Sequence, residues 1–356
     1  MDKIWWLRMP SAQHFLNQIA DPLLRGKSVL LSLPETTPWP FTLKTELENT
    51  LKGRGFGSRL DFIDCPDGDI GEFFLLHYCK REKRASYRPT DTYAHFLAAS
   101  RDIVLNHRYV WVQNIPENRL KEWKNFVAEY HAAARPGEAC ACFILEVSFP
   151  VPMIADTRKL IPLSFSASIT PYDSFTFCTL ICAEIEIPQH LRSYLAEVIS
   201  SMCKKDIELC ALCLNEWQQI FQDPVAGYRT ITKTMQRSDG SPFSDSLTEE
   251  QLRRCLWEAQ LKQLFSVIER RRMDFIDAHA ADIRELLPIR NSLGEEITEP
   301  QDVELGALRY WALHEKLQTE KNEYSELDFF RKSRNKLAHL STLSSEEVQD
   351  LLSFHP

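Results

Sequence analysis

Residues 28–54 decide the fold class: SVLLSLP (28–34), then ETTPWPF (35–41), then LKTELENTLKG (43–53). The first run is short, apolar and β-like, bounded by Pro34. The second is a proline-rich loop. The third predicts a helix, with Leu43, Leu47 and Leu51 one turn apart and Gly53 as its stop. The alternation continues outward. LDFIDC (60–65) predicts a second strand, RYVWVQNI (108–115) a third and ACFILEVSF (141–149) a fourth. Helices are expected at 11–25, broken near Pro22, at 70–79, at 91–105, and over PENRLKEWKNFVAEYHAAAR (116–135). Strands alternating with helices predict parallel βαβ units in an open α/β sheet over residues 1–165.

Pro150, Pro152, Pro162 and Pro171 mark a boundary zone, and residues 166–245 read as a mixed helical connecting region. RSDGSPFSDS (237–246) reads as a linker or turn. From 246 to 356 the chain reads as helical, opening on a capping-box-like Thr248-Glu249-Glu250-Gln251. LLPIRNSLGEEITEPQ (286–301) is its main interruption.

The chain has 356 residues, is 44% hydrophobic and carries a net charge of −8, so it can bury a sizeable core but lacks a general electrostatic hold on nucleic acid. No apolar run is long enough to span a membrane, and MDKIWWLRMP lacks a signal-peptide pattern, so a cytoplasmic location is expected. Trp5 and Trp6 are expected in the core or at an interface. Ten cysteines are many for that compartment. Cys210 and Cys213 have no clean partner pair, since Cys178 and Cys182 lie inside an apolar run. Buried free thiols are the first expectation, ahead of a metal site or disulfides. Neither G-x-S-x-G nor H-E-x-x-H is present, and nothing singles out one Cys/His pair as a nucleophile.

Only 11 glycines are available for phosphate cradles. Gly26-Lys27-Ser28 looks like the end of a phosphate loop, but it precedes its strand instead of following it. In the correct slot, Lys44-Thr45 mimic the end of the motif. Both glycines are missing there, and Pro38 and Pro40 remove N–H groups that phosphates need. The third strand ends in Gln113-Asn114, with no carboxylate to hold Mg²⁺. This order of elements resembles a degenerate AAA/STAND-type P-loop domain over roughly 150 residues. The resemblance implies a scaffold that has lost hydrolysis and holds no cofactor.

Two basic segments stand out. In CKREKRASYRP (79–89), Lys80, Arg81, Lys83, Arg84 and Arg88 surround Tyr87, which suits a phosphate backbone with one stacked base, or an ordinary solvated loop. Arg270-Arg271-Arg272 read as the polar face of a long helix.

The second segment is Ser333-Arg334-Asn335-Lys336-Leu337-Ala338-His339-Leu340, flanked by Arg331 and Lys332. RNKLAHL late in a Leu-rich helical region is similar to the Arg-polar…His signature of the HEPN superfamily. That resemblance implies a helical bundle, frequent homodimers and metal-independent RNase activity, in proteins of prokaryotic defence or toxin–antitoxin type. Arg334, Asn335 and His339 would be catalytic, with Lys80, Arg81, Lys83, Arg84, Tyr87, Arg88, Arg331, Lys332 and Lys336 on the nucleic acid. Glu304 is a candidate acidic helper.

The chemistry is coherent. Histidine titrates near neutrality and moves protons, and arginine is a fixed fork for developing phosphate charge. Asn335 and His339, four apart, share a helix face, whereas Arg334 and His339, five apart, diverge, so two facing chains would complete the site. Against RNA, residues 246–356 hold 15 Lys/Arg and 21 Asp/Glu. RNA and a second copy of the chain are the expected partners, with no metal and no membrane. The alternative is a non-catalytic adaptor subunit of a defence complex, in which Asn335 and His339 bond nearby backbone.

Overall fold

Ser28–Ser32 forms β1, buried along its whole length. In the computed structural model, residues 1–54, 59–100, 103–135, 137–152, 158–243, 247–290 and 294–353 are described. The chain divides into two compact units. The first holds Met1–Asp173, Lys205–Glu208 and Arg237–Ser241; the second holds Ser174–Lys204, Leu209–Gln236 and Pro242–Pro356. Most of the expected connecting region therefore falls in the second unit.

The first unit runs α1 (Asp2–Arg8), α2 (Pro10–Leu24), β1, α3 (Pro40–Arg54), β2 (Arg59–Asp64), α4 (Ile70–Tyr78), α5 (Arg81–Arg84), α6 (Tyr93–Ala99), β3 (Arg108–Gln113), α7 (Leu120–Ala133), β4 (Cys142–Val147), β5 (Leu160–Ser164) and α8 (Phe165–Ser168). All strand pairs are parallel, in the order β2-β3-β4-β1-β5. Such a sheet is covered on both faces, as its crossover helices require. Val110, Val112, Phe143 and Leu145 pack with Phe74, Trp123, Phe126 and Tyr130 from α4 and α7. Trp111 and Glu146 alternate to the other face, where α3 buries Leu43, Leu47 and Leu51. Trp5 and Trp6 are core residues, fully buried, and Trp6 donates to the Pro38 carbonyl at 3.1 Å.

Two differences from the sequence reading have simple causes. The boundary zone contains a fifth strand, β5, hidden by Pro162. As an edge strand pairing only with β1, β5 tolerates a residue without an N–H. Helix α2 passes through Pro22 because it ends two residues later. There Gly26, at φ +68, closes it, with the Gly26 and Lys27 N–H groups on the Leu23 and Pro22 carbonyls. The Gly26-Lys27-Ser28 string is thus a helix stop followed by a strand start.

The second unit continues with α9 (Pro171–Glu184), α10 (Gln189–Cys203), α11 (Ile207–Asn215), α12 (Trp217–Gln222), α13 (Pro224–Thr234), α14 (Glu249–Ala278) and α15 (Ala280–Leu286). A two-stranded ribbon, β6 (Ile289–Arg290) and β7 (Glu296–Ile297), precedes α16 (Leu305–Leu313), α17 (Lys321–Ala338) and α18 (Ser345–Ser353). The capping box forms: Gln251 N–H donates to Thr248 Oγ1 at 3.2 Å, and Thr248 N–H to Gln251 Oε1 at 2.8 Å. Residues 244–246 of the 237–246 turn, and 291–293 of the later interruption, lie outside the described residues.

Helix α14 is the spine against which α10, α13, α17 and α18 pack. Buried Gln260 bonds the Tyr194 hydroxyl and both backbone groups of Leu343, and Trp257 Nε1 donates to the Leu337 carbonyl at 2.7 Å. The Trp257 bond fixes the last turn of α17, and the Gln260 bonds fix the segment between α17 and α18. Among the described residues, no helix is long and apolar enough to cross a membrane.

Candidate functional site

The Arg/His motif lies on the last turn of α17. Arg334 and Asn335 are helical, and His339 is the residue that caps the end, its N–H on the Asn335 carbonyl at 3.0 Å. The side chains of Asn335 and His339 are exposed and form no hydrogen bond or ion pair among the described residues. Arg334 is held differently. Its Nε lies 3.3 Å from Glu269 Oε1 and its guanidinium sits 5.8 Å from the Phe265 ring centroid. Glu269 is itself fixed by Arg272 at 2.8 Å, and Arg272 donates to the Gln301 and Val303 carbonyls. Arg334, Glu269, Arg272, Asp302 and Glu304 line one cavity of about 240 Å³, so Arg334 and Glu304 are brought together. His339 is not among its lining residues.

Arg331, Lys332 and Lys336 of α17 are each paired. Asp328 takes Arg331 at 3.3 Å and Lys332 at 2.8 Å, and also Arg309 from α16. Lys332, with Arg309 and Arg331, holds the Asp328 carboxyl below its ordinary range. Lys336 meets Glu347 of α18 at 2.6 Å. Burial opposes ionisation of Glu347, but Lys336 and Ser344 outweigh it and lower its pKa.

The 80–88 segment has the opposite character. Lys80, Arg81, Lys83 and Arg88 form no ion pair among the described residues. Arg84 and Tyr87 have structural work. Arg84 donates to the Cys79 carbonyl at 2.7 Å and to the Leu76 carbonyl, closing the end of α4. Tyr87 stacks on Tyr93 at 4.5 Å, meets the edge of Phe96 and donates to the Asp91 carbonyl at 3.0 Å. Its ring anchors the loop and has one face already covered.

Open α/β sheets bind ligands beyond the carboxyl ends of their strands. In this sheet that place is filled by the chain's own groups. Lys44 Nζ donates to Gln113, lies 3.6 Å from Glu146 Oε2 and sits 5.4 Å from the Trp111 ring centroid. Thr45 Oγ1 donates to the Phe41 carbonyl at 2.9 Å. The N–H of Trp39, just before α3, donates to the buried carboxylate of Glu208, which also accepts Ser238 N–H at 3.0 Å and Ser238 Oγ at 2.7 Å. Trp39 stands at φ +44, a conformation that bulky residues seldom adopt. Beside it, the buried guanidinium of Arg237 forms a two-pronged pair with Asp206.

Sequence reasoning missed Glu146, Glu208 and Glu269. Each is a carboxylate far along the chain from the groups it engages, a cation for Glu146 and Glu269 and N–H and hydroxyl donors for Glu208, and no local signal points to the pairing. Comparison with protein-family models, curated proteins and solved structures finds no significant match.

Proposed function

We propose that this protein is a HEPN-type, metal-independent endoribonuclease of prokaryotic defence or toxin–antitoxin type, its site completed by a second copy of the chain. The observation that carries the reading is the freedom of Asn335 and His339. A motif whose task is to close a bundle engages its polar side chains with backbone. Here both are exposed with no side-chain partner among the described residues, on a helix whose Arg331, Lys332 and Lys336 are each paired with a carboxylate.

His339 would take or return a proton as the 2′-oxygen attacks phosphorus and the 5′-oxygen leaves. Arg334, released from Glu269 by the incoming phosphate, would hold the developing negative charge. Glu304, in the same cavity, would orient that guanidinium. Lys80, Arg81, Lys83 and Arg88 supply the free positive charge for the RNA backbone.

The α/β unit serves as a P-loop-like scaffold without hydrolysis. The all-parallel sheet, with β1 inside it between β4 and β5 and followed by the helix that carries Lys44 and Thr45, supports this reading. The internal partners of Lys44 and the Trp39 N–H support it further.

A second reading, a non-catalytic adaptor, is favoured by one observation: Glu269 already neutralises Arg334. Cleavage of tRNA and total RNA in EDTA separates the two. The ribonuclease reading expects cleavage that falls at least about 100-fold in His339→Ala. Equal cleavage by both proteins sinks the role of His339, and no cleavage by either favours the adaptor.

A further inference from the structure

A cavity of about 520 Å³ opens in the second unit between the start of α10, the short helix α12 and α18. Its walls differ in kind. On α12, Trp217 and Phe221 stand one turn apart on the same helix face, and both are half-buried. Ile220, fully buried, seats that helix. Phe221 meets the edge of buried Tyr194, with ring centroids 6.2 Å apart, and the Tyr194 hydroxyl is in turn held by Gln260 at 3.1 Å. The aromatic wall is therefore braced from behind.

On α18, Glu346 and Asp350 also stand one turn apart, and both are exposed. Neither carboxylate has an ion pair or hydrogen bond among the described residues. Between them in sequence, Glu347 takes Lys336, so the chain supplies a cation to one face of α18 and none to the other. Gln349 Nε2 donates to His190 Nε2 at 2.8 Å, tying α18 to α10. No lysine, arginine or histidine is among the lining residues.

We infer that this cavity is a binding site for an aliphatic polyamine. The two unpaired carboxylates call for positive charge, and no side chain of the cavity provides it. The aromatic wall selects the kind of cation. A hydrated metal ion gains little from indole and phenyl rings. An ammonium group with an apolar body gains twice, by its charge near the rings and by its methylenes against their faces. The spacing also fits. Residues one helical turn apart have Cβ atoms about 5–6 Å apart, roughly the distance between neighbouring ammonium groups of a polyamine chain. One ammonium group meets Glu346, the next meets Asp350, and the linker lies on Trp217 and Phe221. The cavity has the volume of a small-molecule site. Polyamine binding here does not depend on ribonuclease activity, because none of the residues assigned to that activity lines the cavity.

The test is calorimetric titration of the full-length protein with spermidine at physiological ionic strength. Spermidine should bind one to one and raise Tm with concentration. Butylamine, with one ammonium group, should bind at least about five-fold more weakly. Glu346→Gln with Asp350→Asn should weaken spermidine at least about five-fold, and Trp217→Ala by a similar factor. Asp277→Asn with Asp282→Asn removes the same charge from exposed positions outside the cavity and should change affinity by less than about two-fold. Equal losses in the two acid pairs would reduce the effect to attraction by the net charge of −8 and overturn the proposal. So would no binding at millimolar spermidine, or displacement of spermidine by equimolar Mg²⁺. An oligoarginine peptide that binds through Glu346 and Asp350 where spermidine does not would overturn it in favour of a basic protein partner. The butylamine and Mg²⁺ comparisons use the unaltered chain, so a misfolded variant leaves them decisive.

Discussion

The two basic segments carry similar charge and live in opposite circumstances. In α17, Arg331, Lys332, Arg334 and Lys336 each face a carboxylate, drawn from Asp328, Glu269 and Glu347. Around α5, Lys80, Arg81, Lys83 and Arg88 face none among the described residues. A run of cations in a sequence is therefore not yet a binding surface. What matters is whether the fold returns an acid to it, and α17 has its own Asp328 one turn away plus acids from α14 and α18. The short 81–84 helix lies between two loops and receives no such neighbours among the described residues. The same contrast holds inside the α17 motif, where Arg334 is engaged while Asn335 and His339 are free.

The largest expected effect sharpens that contrast. Replacing Lys80, Arg81, Lys83 and Arg88 together by Gln, in a His339→Ala background that prevents cleavage, should weaken single-stranded RNA binding at least about ten-fold. It should also flatten the dependence of log K on log salt by up to about three. Lys332→Gln with Lys336→Gln should change affinity by less than about two-fold, because those charges are already neutralised. Fluorescence anisotropy across a salt series reads both, and the reverse ranking breaks the comparison.

A smaller effect concerns stability. Asp328 and Glu347 have folded-state pKa values below their ordinary ones. Their stabilisation is complete above the ordinary carboxylate range and is lost as pH falls through that range toward the depressed values. Tm should therefore drop between about pH 5 and pH 3. The Lys332→Gln, Lys336→Gln variant, which removes one cationic partner of each carboxylate, should show a shallower drop. Parallel acid limbs in the two melting curves contradict the pairing account.

Much of the architecture was legible. β1 to β4 and the helices between them follow from apolar periodicity, and the Leu43, Leu47 and Leu51 stripe is buried as its spacing requires. β5 was not legible, because Pro162 reads as a breaker until the strand is known to lie at the edge. The 237–246 stretch reads as a linker, yet Arg237 within it is 7% exposed. Its burial depends on Asp206, a partner that no local pattern announces. The candidate site divides in the same way. The motif residues, and Glu304 as the acidic helper the family resemblance offers, are sequence-level candidates, whereas the engagement of Arg334 by Glu269, and of Tyr87 by Tyr93, depends on tertiary neighbours.

The most direct measurement of the central claim is complementation between two inactive chains. Arg334→Ala and His339→Ala proteins are each expected to be inactive on RNA. Mixed and allowed to exchange subunits, they form heterodimers in which one of two composite sites has both residues. Cleavage should then recover to roughly a quarter of the wild-type rate, since half the dimers are mixed and each has one intact site. Mixtures that stay inactive while mixed dimers are demonstrably present would contradict a site shared between two copies of the chain.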